Sequence, residues 1–277
     1  MTKLTLGVFL RPQTPQLKEY FLEFKSLALS LGFEVLLEDS SAKMLGENGL
    51  DIHQICTKSN FLISIGGDGT LISTARISYP YQKPILGINM GRLGFLTDLQ
   101  KEEVSSFLPN LKNGNYNIAN HMILEGNLKE QKFYSLNDIV LARCGKGMLT
   151  LQAYIDSKYF NSYYGDGLII STPTGSTAYN ISAGGAVVYP FSDNLLLTPI
   201  CPHSLTQRPL ILPSEFNVSI STKETCNITF DGQESVTLEV NDTLSIKSLK
   251  EGVKLIHNKE WDYFKILKEK FYWGDYE

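Results

Sequence analysis

Residues Phe61 to Arg76 read FLISIGGDGTLISTAR, and this stretch decides the fold of the first part of the chain. Phe61 to Ile65 is a short apolar run that predicts a strand buried on both faces. Three glycines follow, and Thr70 begins a segment with a weak helical spacing of apolar residues. A strand, a glycine turn and a helix leave unpaired N–H groups at the helix N-terminus, where phosphate oxygens bind well. The stretch therefore predicts a phosphate-binding loop formed by Gly66, Gly67, Gly69 and Thr70.

Asp68 lies at the centre of this loop. A carboxylate beside a phosphate is repulsive unless a divalent cation or a substrate proton lies between them. An aspartate there can hold Mg²⁺ through water or accept a proton from an attacking hydroxyl group. The same string also fits a tight turn in which Asp68 caps the following helix, and the local sequence leaves both interpretations open.

The residues around the loop predict alternating strands and helices. Predicted strands are Leu4 to Leu10, Phe33 to Leu37 and Pro84 to Ile88, and predicted helices are Gln16 to Leu31 and Lys101 to Leu111. This alternation predicts an N-terminal Rossmann-like α/β domain, in which helices cover a parallel sheet and ligands bind at the C-terminal strand ends. A second glycine-containing loop, Asn89 to Asp98, should then lie beside the first, although a plain connection fits the spacing equally well.

From about Tyr116 the pattern changes to short or alternating apolar runs, which predict a β-rich, sandwich-like second domain. The predicted strands are Met122 to Leu128, Phe133 to Leu141, Leu149 to Ile155, Leu168 to Ser171, Leu210 to Leu212, Asn217 to Ser221, Cys226 to Phe230 and Thr237 to Val240. Glu260 to Trp273 predicts a helix, with Trp261, Phe264, Leu267 and Phe271 on one face, that packs back on the first domain. The predicted boundaries are 1–115 with about 256–277, and 116–255.

Three polar strings in the second domain are candidate binding elements. Asn137 and Asp138 interrupt an apolar run, and an amide beside a carboxylate suits the two hydroxyls of a ribose, although a β-bulge or a hairpin turn explains the pair more simply. Tyr164 to Ala186 is rich in glycine and hydroxyl residues, which is poor core material and indicates a binding surface or a structural loop. Phe230 to Gln233 contains an Asp-Gly pair and predicts a type I′ hairpin turn.

Composition excludes several classes of partner and site. The net charge of −4 and the pI near 5.7 provide no basic field for nucleic acid, and no run of basic residues suggests a membrane surface. The four cysteines are far apart and have no paired spacing with the four histidines, which argues against a zinc site and a disulfide framework. With no signal peptide and no apolar run long enough for a transmembrane helix, the sequence predicts a cytoplasmic protein.

The motifs together resemble the NAD kinase family. Four strings match the family in order and approximate spacing: GGDGT at Gly66 to Thr70, GINMGRLGFLTD at Gly87 to Asp98, LNDIV at Leu136 to Val140, and DGLIISTPTGSTAYNISAGG at Asp166 to Gly185. GGDG alone is weak evidence, because diacylglycerol, sphingosine and phosphofructokinases carry similar loops. The family more often has Asn-Glu where this chain has Asn137-Asp138, which is one methylene shorter with the same charge.

The resemblance implies roles for particular residues. Asp68 would accept the proton of the ribose hydroxyl, and the glycine loop would bind the phosphates of ATP, with Mg²⁺ held mainly through ATP and no direct protein ligand assigned. The residues implied to contact NAD are Asp68, Gly69, Phe95, Asn137, Asp138, Asp166, Thr177, Ala178, Tyr179, Asn180, Ser182 and Gln233. The resemblance also implies a homodimer or a homotetramer.

The sequence therefore predicts phosphoryl transfer from ATP to the 2′-hydroxyl of the adenosine ribose of NAD, which forms NADP. One alternative is a lipid or sugar kinase that uses the same GGDGT loop, which would need an acyl groove or a basic sugar-phosphate pocket. Another alternative is an NAD-sensing protein without catalysis, which would have no need of an acid at Asp68.

Overall fold

The computed structural model describes residues 3–92, 94–97 and 99–274, so Leu93 and Asp98 of the second glycine loop lie outside the described residues. The chain divides into two compact units. The first unit comprises the described residues up to Ala119 and from Lys254 onward, and the second unit comprises Asn120–Val253. The two units have different architectures, as the change of sequence pattern near Tyr116 predicts.

The N-terminal part of the first unit alternates strands with helices. Its elements are β1 Thr5–Leu10, α1 Leu17–Ser30, β2 Glu34–Leu37, α2 Asp39–Leu45, α3 Ile52–Lys58, β3 Phe61–Gly66, α4 Asp68–Ser78, β4 Ile85–Asn89, β5 Leu99–Gln100, α5 Val104–Lys112 and β6 Asn117–His121. All residues of β1, β3 and β4 are buried, as expected for strands covered on both faces. Short 3₁₀ turns at Tyr79–Tyr81 and Lys101–Glu103 follow α4 and precede α5.

The second unit is built almost entirely of strands. They are β7 Leu124–Leu128, β8 Gln131–Ser135, β9 Asp138–Arg143, β10 Leu149–Ile155, β11 Lys158–Gly165, β12 Gly167–Ser171, β13 Asn194–Ile200, β14 Leu210–Pro213, β15 Val218–Thr222, β16 Cys226–Phe230, β17 Glu234–Leu238 and β18 Thr243–Ser248. A 3₁₀ turn at Thr174–Thr177 and the short helix α6, Tyr179–Ser182, lie between β12 and β13.

The chain ends with strand β19, Val253–His257, and helix α7, Tyr263–Phe271. Strand β19 pairs in parallel with β4, so the C-terminal segment returns to the first sheet as predicted. Within the described residues this sheet has seven strands in the order β2-β1-β3-β4-β19-β6, with β5 beside β4. The pairs that β1 forms with β2 and β3, and β4 with β3, are all parallel, which places the loops after β3 and β4 at one edge.

The strands of the second unit form two antiparallel six-stranded sheets within the described residues. Their orders are β11-β10-β15-β18-β7-β8 and β14-β13-β12-β9-β16-β17. Inward residues of both sheets, such as Leu151 and Ile220 from one and Leu168 and Ile228 from the other, share one buried cluster. Burial alternates along β10 and β15, because one face of each strand packs on this core and the other does not. The sandwich-like second domain is thus confirmed.

The second sheet of the sandwich is buried on both faces near its centre. Every residue of β12 is buried, and Val140, Ile169 and Ile200 form a small cluster separate from the sandwich core. Ala183 packs on this cluster. The glycine-rich segment after β12 therefore folds back over the outer face of its own sheet.

Several element predictions differ from the structure. The run Phe133 to Leu141 is two strands, β8 and β9, which belong to different sheets and are joined by a turn at Leu136 and Asn137. Strands β5, β6, β11, β13, β18 and β19 and helices α2 and α3 were not predicted. In α7 the buried residues are Tyr263, Ile266 and Leu267, whereas Phe264 is 60% exposed, so the predicted apolar face was wrong.

No helix within the described part of the chain combines the length and the apolar character needed to cross a lipid bilayer.

Candidate active site

Asp68 is the first residue of helix α4, which begins two residues earlier than the sequence pattern predicts. Gly67 is the N-cap, with φ of −142° and ψ of −168°, and no side chain caps this helix. The carboxylate of Asp68 binds the loop after β4 instead of its own helix. The helix-cap interpretation of GGDG is therefore wrong, and Asp68 lies at the N-terminal turn of α4 with its carboxylate directed at residues 95–97.

The carboxylate of Asp68 accepts hydrogen bonds from three successive backbone N–H groups. The Phe95 N–H lies 2.7 Å from Oδ2, and the N–H groups of Leu96 and Thr97 lie 3.2 and 2.9 Å from Oδ1. The hydroxyl of Thr97 donates to Oδ1 as well, at 2.8 Å. A carboxylate offers about four lone-pair positions, which is two on each oxygen. Within the described residues, Oδ2 accepts one hydrogen bond, from the Phe95 N–H. One acceptor position on Oδ2 thus remains for a further donor.

Gly94 and Asn89 shape the loop that Asp68 holds. A β-carbon on Gly94 would lie 2.0 Å from Oδ1 of Asp68 and 2.4 Å from Oγ1 of Thr97, so only glycine fits there. The Asn89 side chain is buried, donates to Thr97 O and Oγ1 and to Arg92 O, and accepts from the Gly91 N–H. These bonds hold Gly91, Arg92 and Thr97 close to Asn89, and the backbone N–H groups of residues 95–97 face Asp68.

The glycines and the threonine of the GGDGT string differ in how closely they are packed. Thr70 is buried and its backbone N–H donates to Gly67 O at 3.0 Å, which closes the first turn of α4. Gly66 is the last residue of β3 and is also buried. By contrast, a β-carbon on Gly67 or Gly69 would meet no other atom within 4 Å. A ligand can therefore approach the backbone at Gly67, next to the positive end of the α4 dipole.

Phe95 joins this loop to the C-terminal helix. Its ring lies 5.7 Å from that of Phe271 in α7, centroid to centroid, and the ammonium of Lys270 lies 5.8 Å from the centre of the Phe95 ring. Phe95 is half-buried, so part of the ring remains accessible. The tail therefore supports the loop that carries one of the residues implied to contact NAD.

In the second unit, Asn137 and Asp138 lie where the chain passes from β8 in one sheet to β9 in the other. Asp231 holds this turn: its carboxylate accepts the N–H groups of Leu136, Asn137 and Asp138 at 2.8, 2.8 and 3.0 Å. Asp231 belongs to the hairpin between β16 and β17, where Asp231 and Gly232 have φ of 51° and 66°. These values match the predicted type I′ turn.

Asp138 is the most perturbed acid of the site. Its side chain is almost completely buried, and it accepts a hydrogen bond from the backbone N–H of Tyr179. Burial, and next the negative charge of Asp231, raise the pKa of Asp138 from its ordinary 3.8 to about 7, and the Tyr179 bond opposes this only in part. The structure thus brings Asp138, Tyr179 and Asp231 together.

The segment after β12 presents some predicted residues at the surface and buries another. Tyr179 and Ser182 are exposed, and Thr177 and Ala178 are half-buried. Asn180 is fully buried: its amide donates to Ser176 O and Ala186 O, and its oxygen accepts the hydroxyl of Thr198 at 2.6 Å. Asn180 therefore holds the segment together from within.

Asp166 and Gln233 lie at other edges of the second unit. Asp166, between β11 and β12, is half-exposed and pairs with Nε of Arg143 at 2.8 Å. Gln233 is exposed, and its backbone N–H donates to Phe230 O across the hairpin. Neither position is buried, so both side chains are accessible to a ligand.

Sequence reasoning missed four residues that build the site without being its predicted ligands. They are Asn89, Thr97, Thr172 and Asp231. Asn89, Thr172 and Asp231 bind the backbone of a site loop, and Thr97 donates to the Asp68 carboxylate from its N–H and its hydroxyl. A faint signal exists for Asn89, a polar residue that ends a buried strand. Asp231 was recognised only as a turn residue, because its partners lie more than ninety residues earlier in the chain.

Comparison with known proteins places this chain in a family. Residues 6–116 match the ATP-NAD kinase N-terminal domain, and residues 136–258 match the ATP-NAD kinase C-terminal domain. The NAD kinase of Wolinella succinogenes is 53% identical over 277 residues, covering 98% of this chain and 96% of that protein.

Two solved structures share the fold over nearly the whole chain. Yeast NADH kinase, crystallised as a complex with NADH, superimposes with a TM-score of 0.91 and 25% identity, covering 100% of this chain and 90% of its own. An NAD kinase from Archaeoglobus fulgidus, crystallised in complex with ATP, superimposes with a TM-score of 0.78 at 22% identity, covering 96% and 98%. The α/β first unit, the strand-built second unit and the sequence matches agree, and the chain belongs to the NAD kinase family.

Proposed function

We propose that this protein transfers the γ-phosphate of ATP to the 2′-hydroxyl of the adenosine ribose of NAD and releases NADP and ADP. The observation that carries the proposal is Asp68, an acid at the N-terminus of α4 whose carboxylate is oriented by residues 95–97 and keeps one acceptor position on Oδ2. Membership of the NAD kinase family supports the same reaction. An acid so placed is suited to accept a proton from a hydroxyl group.

Asp68 is the proton acceptor in this proposal. The 2′-hydroxyl gives its proton to Oδ2, its oxygen forms a bond to the γ-phosphorus, and the bond from that phosphorus to the bridging oxygen of ADP breaks. The N–H groups of Phe95, Leu96 and Thr97 hold the carboxylate in place before the substrate arrives. Little covalent chemistry falls to the protein, so its main contribution is positioning.

The donor side belongs to the first unit, the part predicted as 1–115 with about 256–277. Gly66, Gly67, Gly69 and Thr70 form the phosphate loop, and the open space beside Gly67 supports a close approach by phosphate oxygens. Among the described residues, no group of three or more His, Cys, Asp or Glu side chains could hold a metal ion. As the resemblance implies, Mg²⁺ would arrive on the ATP phosphates and would neutralise their developing charge.

The acceptor side belongs mainly to the second unit, predicted as 116–255. Asn137 and Asp138 hold the ribose and the adenine end of NAD, and the half-buried ring of Phe95 offers an aromatic face for the adenine side. Asp166, Thr177, Ala178, Tyr179, Ser182 and Gln233 border the rest of the dinucleotide. Their exposed or half-buried side chains support this role, whereas we assign Asn180 the structural role of fixing the segment.

Assembly and location complete the proposal. The edge strand β11 exposes Tyr159, Phe160 and Tyr164, and an exposed aromatic edge is suited to pairing with a second copy. This supports a homodimer or a homotetramer, and light scattering of the purified protein measures the assembly. The proposed location is the cytoplasm.

The deciding experiment is an end-point assay for NADP with the purified protein, NAD, Mg²⁺ and a panel of phosphate donors. We expect NADP with ATP, no product without a divalent cation, and no product from an NAD analogue that lacks the 2′-hydroxyl. Absence of NADP with every donor, together with phosphorylation of diacylglycerol or a sphingoid base, would favour the lipid kinase alternative. Calorimetric binding of NAD without any NADP formation would favour a sensing protein. The comparisons favour neither alternative.

A further inference from the structure

The turn that carries Asn137 and Asp138 is held from both sides of its backbone. On one side, the Asp231 carboxylate accepts all three N–H groups from Leu136 to Asp138, at 2.8 to 3.0 Å. Bonds to an ionised acceptor are about twice as strong as bonds between neutral groups. This side of the turn therefore depends on one charged group from a distant hairpin.

On the other side, residues at the end of β12 bind the carbonyl groups of the same turn. The hydroxyl of Thr172 donates to Leu136 O at 2.6 Å, and the Thr172 N–H donates to Asn137 O at 2.9 Å. The Ser171 hydroxyl also donates to Asn137 O, at 3.1 Å. Thr172 is fully buried, so its hydroxyl has no competing contact with solvent.

Close packing removes the remaining freedom of the turn. A β-carbon on Gly175 would lie 2.1 Å from Asn137 O, so the backbone of the glycine-rich segment presses directly on the turn. The Gly175 N–H donates to Oγ1 of Thr172 at 3.0 Å, which links that segment to the same hydroxyl. Two distant parts of the chain, the Asp231 hairpin and residues 171–175, thus meet at three residues, two of which are proposed to bind NAD.

We propose that Asp231 and Thr172 are positioning residues for NAD: they fix the backbone at Asn137 so that the side chains of Asn137 and Asp138 are preset for the ribose. This inference rests on the proposed function and adds residues that act through others without touching the substrate. Preset side chains lose less conformational freedom on binding, so the benefit falls on NAD and not on ATP. The strand pairs of β9 with β12 and β16 hold the sheet independently of the turn.

The test compares variants at the two positions with a matched control. Asp231→Asn removes the charge at a residue whose φ of 51° asparagine adopts readily, so the backbone is not strained. Thr172→Val removes the hydroxyl and keeps the shape, and Thr172→Ser restores the hydroxyl. The control is Asp156→Asn, because Asp156 also accepts a backbone N–H in the second unit, that of Asn217 at 3.0 Å, away from the turn.

We expect Asp231→Asn and Thr172→Val to raise the KM for NAD at least about tenfold, the loss expected for one hydrogen bond to a charged or buried group. The KM for ATP should change less than about twofold, and Thr172→Ser and Asp156→Asn should behave like the parent. Combining Asp231→Asn with Asn137→Ala and Asp138→Ala should add little to those two changes alone, because Asp231 acts through both side chains.

The inference is overturned if the two variants leave the KM for NAD unchanged, or if they raise both KM values equally. If Asp231→Asn does not fold, the Thr172 pair decides alone: a serine variant as impaired as the valine variant contradicts the inference. The parent enzyme is assayed in parallel, since a parent that makes no NADP refutes the proposed function, whereas an active parent with unaffected variants refutes only the positioning role.

Discussion

Asp68 in the first unit and Asp231 in the second unit perform the same structural task on different loops. Each carboxylate accepts three successive backbone N–H groups, from residues 95–97 in one case and 136–138 in the other. The surroundings differ. Asp68 also accepts a hydrogen bond from the Thr97 hydroxyl and keeps an acceptor position for substrate. Asp231 lies close to a second, buried acid, Asp138.

The difference shows how one device serves two purposes. We propose that the Asp68 carboxylate both orders a loop and accepts the substrate proton. Asp231 instead acts on a second acid, Asp138. It binds the backbone N–H of Asp138 and raises the pKa of the Asp138 carboxyl group. Four changes would break or sharpen this comparison.

The largest effect is expected for Asp68→Asn. Without a proton acceptor, kcat should fall about 10³-fold or more, whereas the calorimetric Kd for NAD should change less than about threefold. The matched control is Asp51→Asn, because Asp51 caps helix α3 in the same unit and asparagine caps nearly as well. If the variant is as active as the parent, Asp68 does not accept the proton, and its only role is to order a loop, as Asp231 does.

The second effect is a dependence of stability on pH that belongs to Asp138. Its pKa is raised to about 7 in the folded protein, so the folded state holds a proton that the unfolded chain releases above its ordinary pKa near 3.8. Stability from this group is therefore present below about pH 4 and is lost as the pH rises to about 7, at about 1.4 kcal/mol per pKa unit.

Chemical denaturation of the parent and of Asp138→Asn between pH 4 and 8 measures this contribution. The difference in the free energy of unfolding, parent minus variant, should decrease through that window and level off above about pH 7. Asp231→Asn should move the decrease to lower pH, because it removes a repulsive charge beside Asp138. Parallel curves for all three proteins would show that Asp138 titrates normally.

The third effect is expected for Gly94→Ala. Its β-carbon would lie 2.0 Å from Oδ1 of Asp68, so the bonds to residues 95–97 must rearrange, at about 1–3 kcal/mol of stability and at least about tenfold in kcat. Gly91→Ala is the control in the same loop, because its nearest neighbour would be Oδ1 of Asn89 at 3.9 Å. Thermal unfolding and steady-state kinetics distinguish the two variants, and equal behaviour would contradict the close fit at Gly94.

The smallest effect is expected for Arg143→Ala, which removes the partner of Asp166. Both side chains of this pair are half-exposed, and Asp166 binds the Arg143 side chain and not a run of backbone N–H groups. Its loss should therefore change the free energy of unfolding by less than about 1 kcal/mol. Asp166 thus contrasts with Asp68 and Asp231, which order loops. A stability loss as large as that of Gly94→Ala would place Asp166 in the same structural class, and denaturant titration measures it.

Much of the fold follows from local patterns. The buried strand, the glycines and the helix at Phe61 to Arg76 are confirmed, as are the antiparallel sandwich and the Asp231-Gly232 turn. Strand β13, Asn194–Ile200, escaped prediction because a proline interrupts its apolar run, and β18 because its alternation is short. The run Phe133 to Leu141 was predicted as one strand but contains two strands from different sheets. A turn between two strands gives the same alternation of apolar and polar residues as one strand with a β-bulge.

The sequence by itself determined the α/β first part and the β-rich second part, the positions of the acids and the family, because periodicity, glycine spacing and motif order are local properties. Only the tertiary structure decided which backbone groups each acid binds. Asp68 meets a loop 27 residues later, and Asp231 meets a turn 93 residues earlier. A hydrogen bond between distant residues leaves no periodic trace in either segment, so the partners of these carboxylates emerge only when parallel strands align their loops and two sheets close on one core.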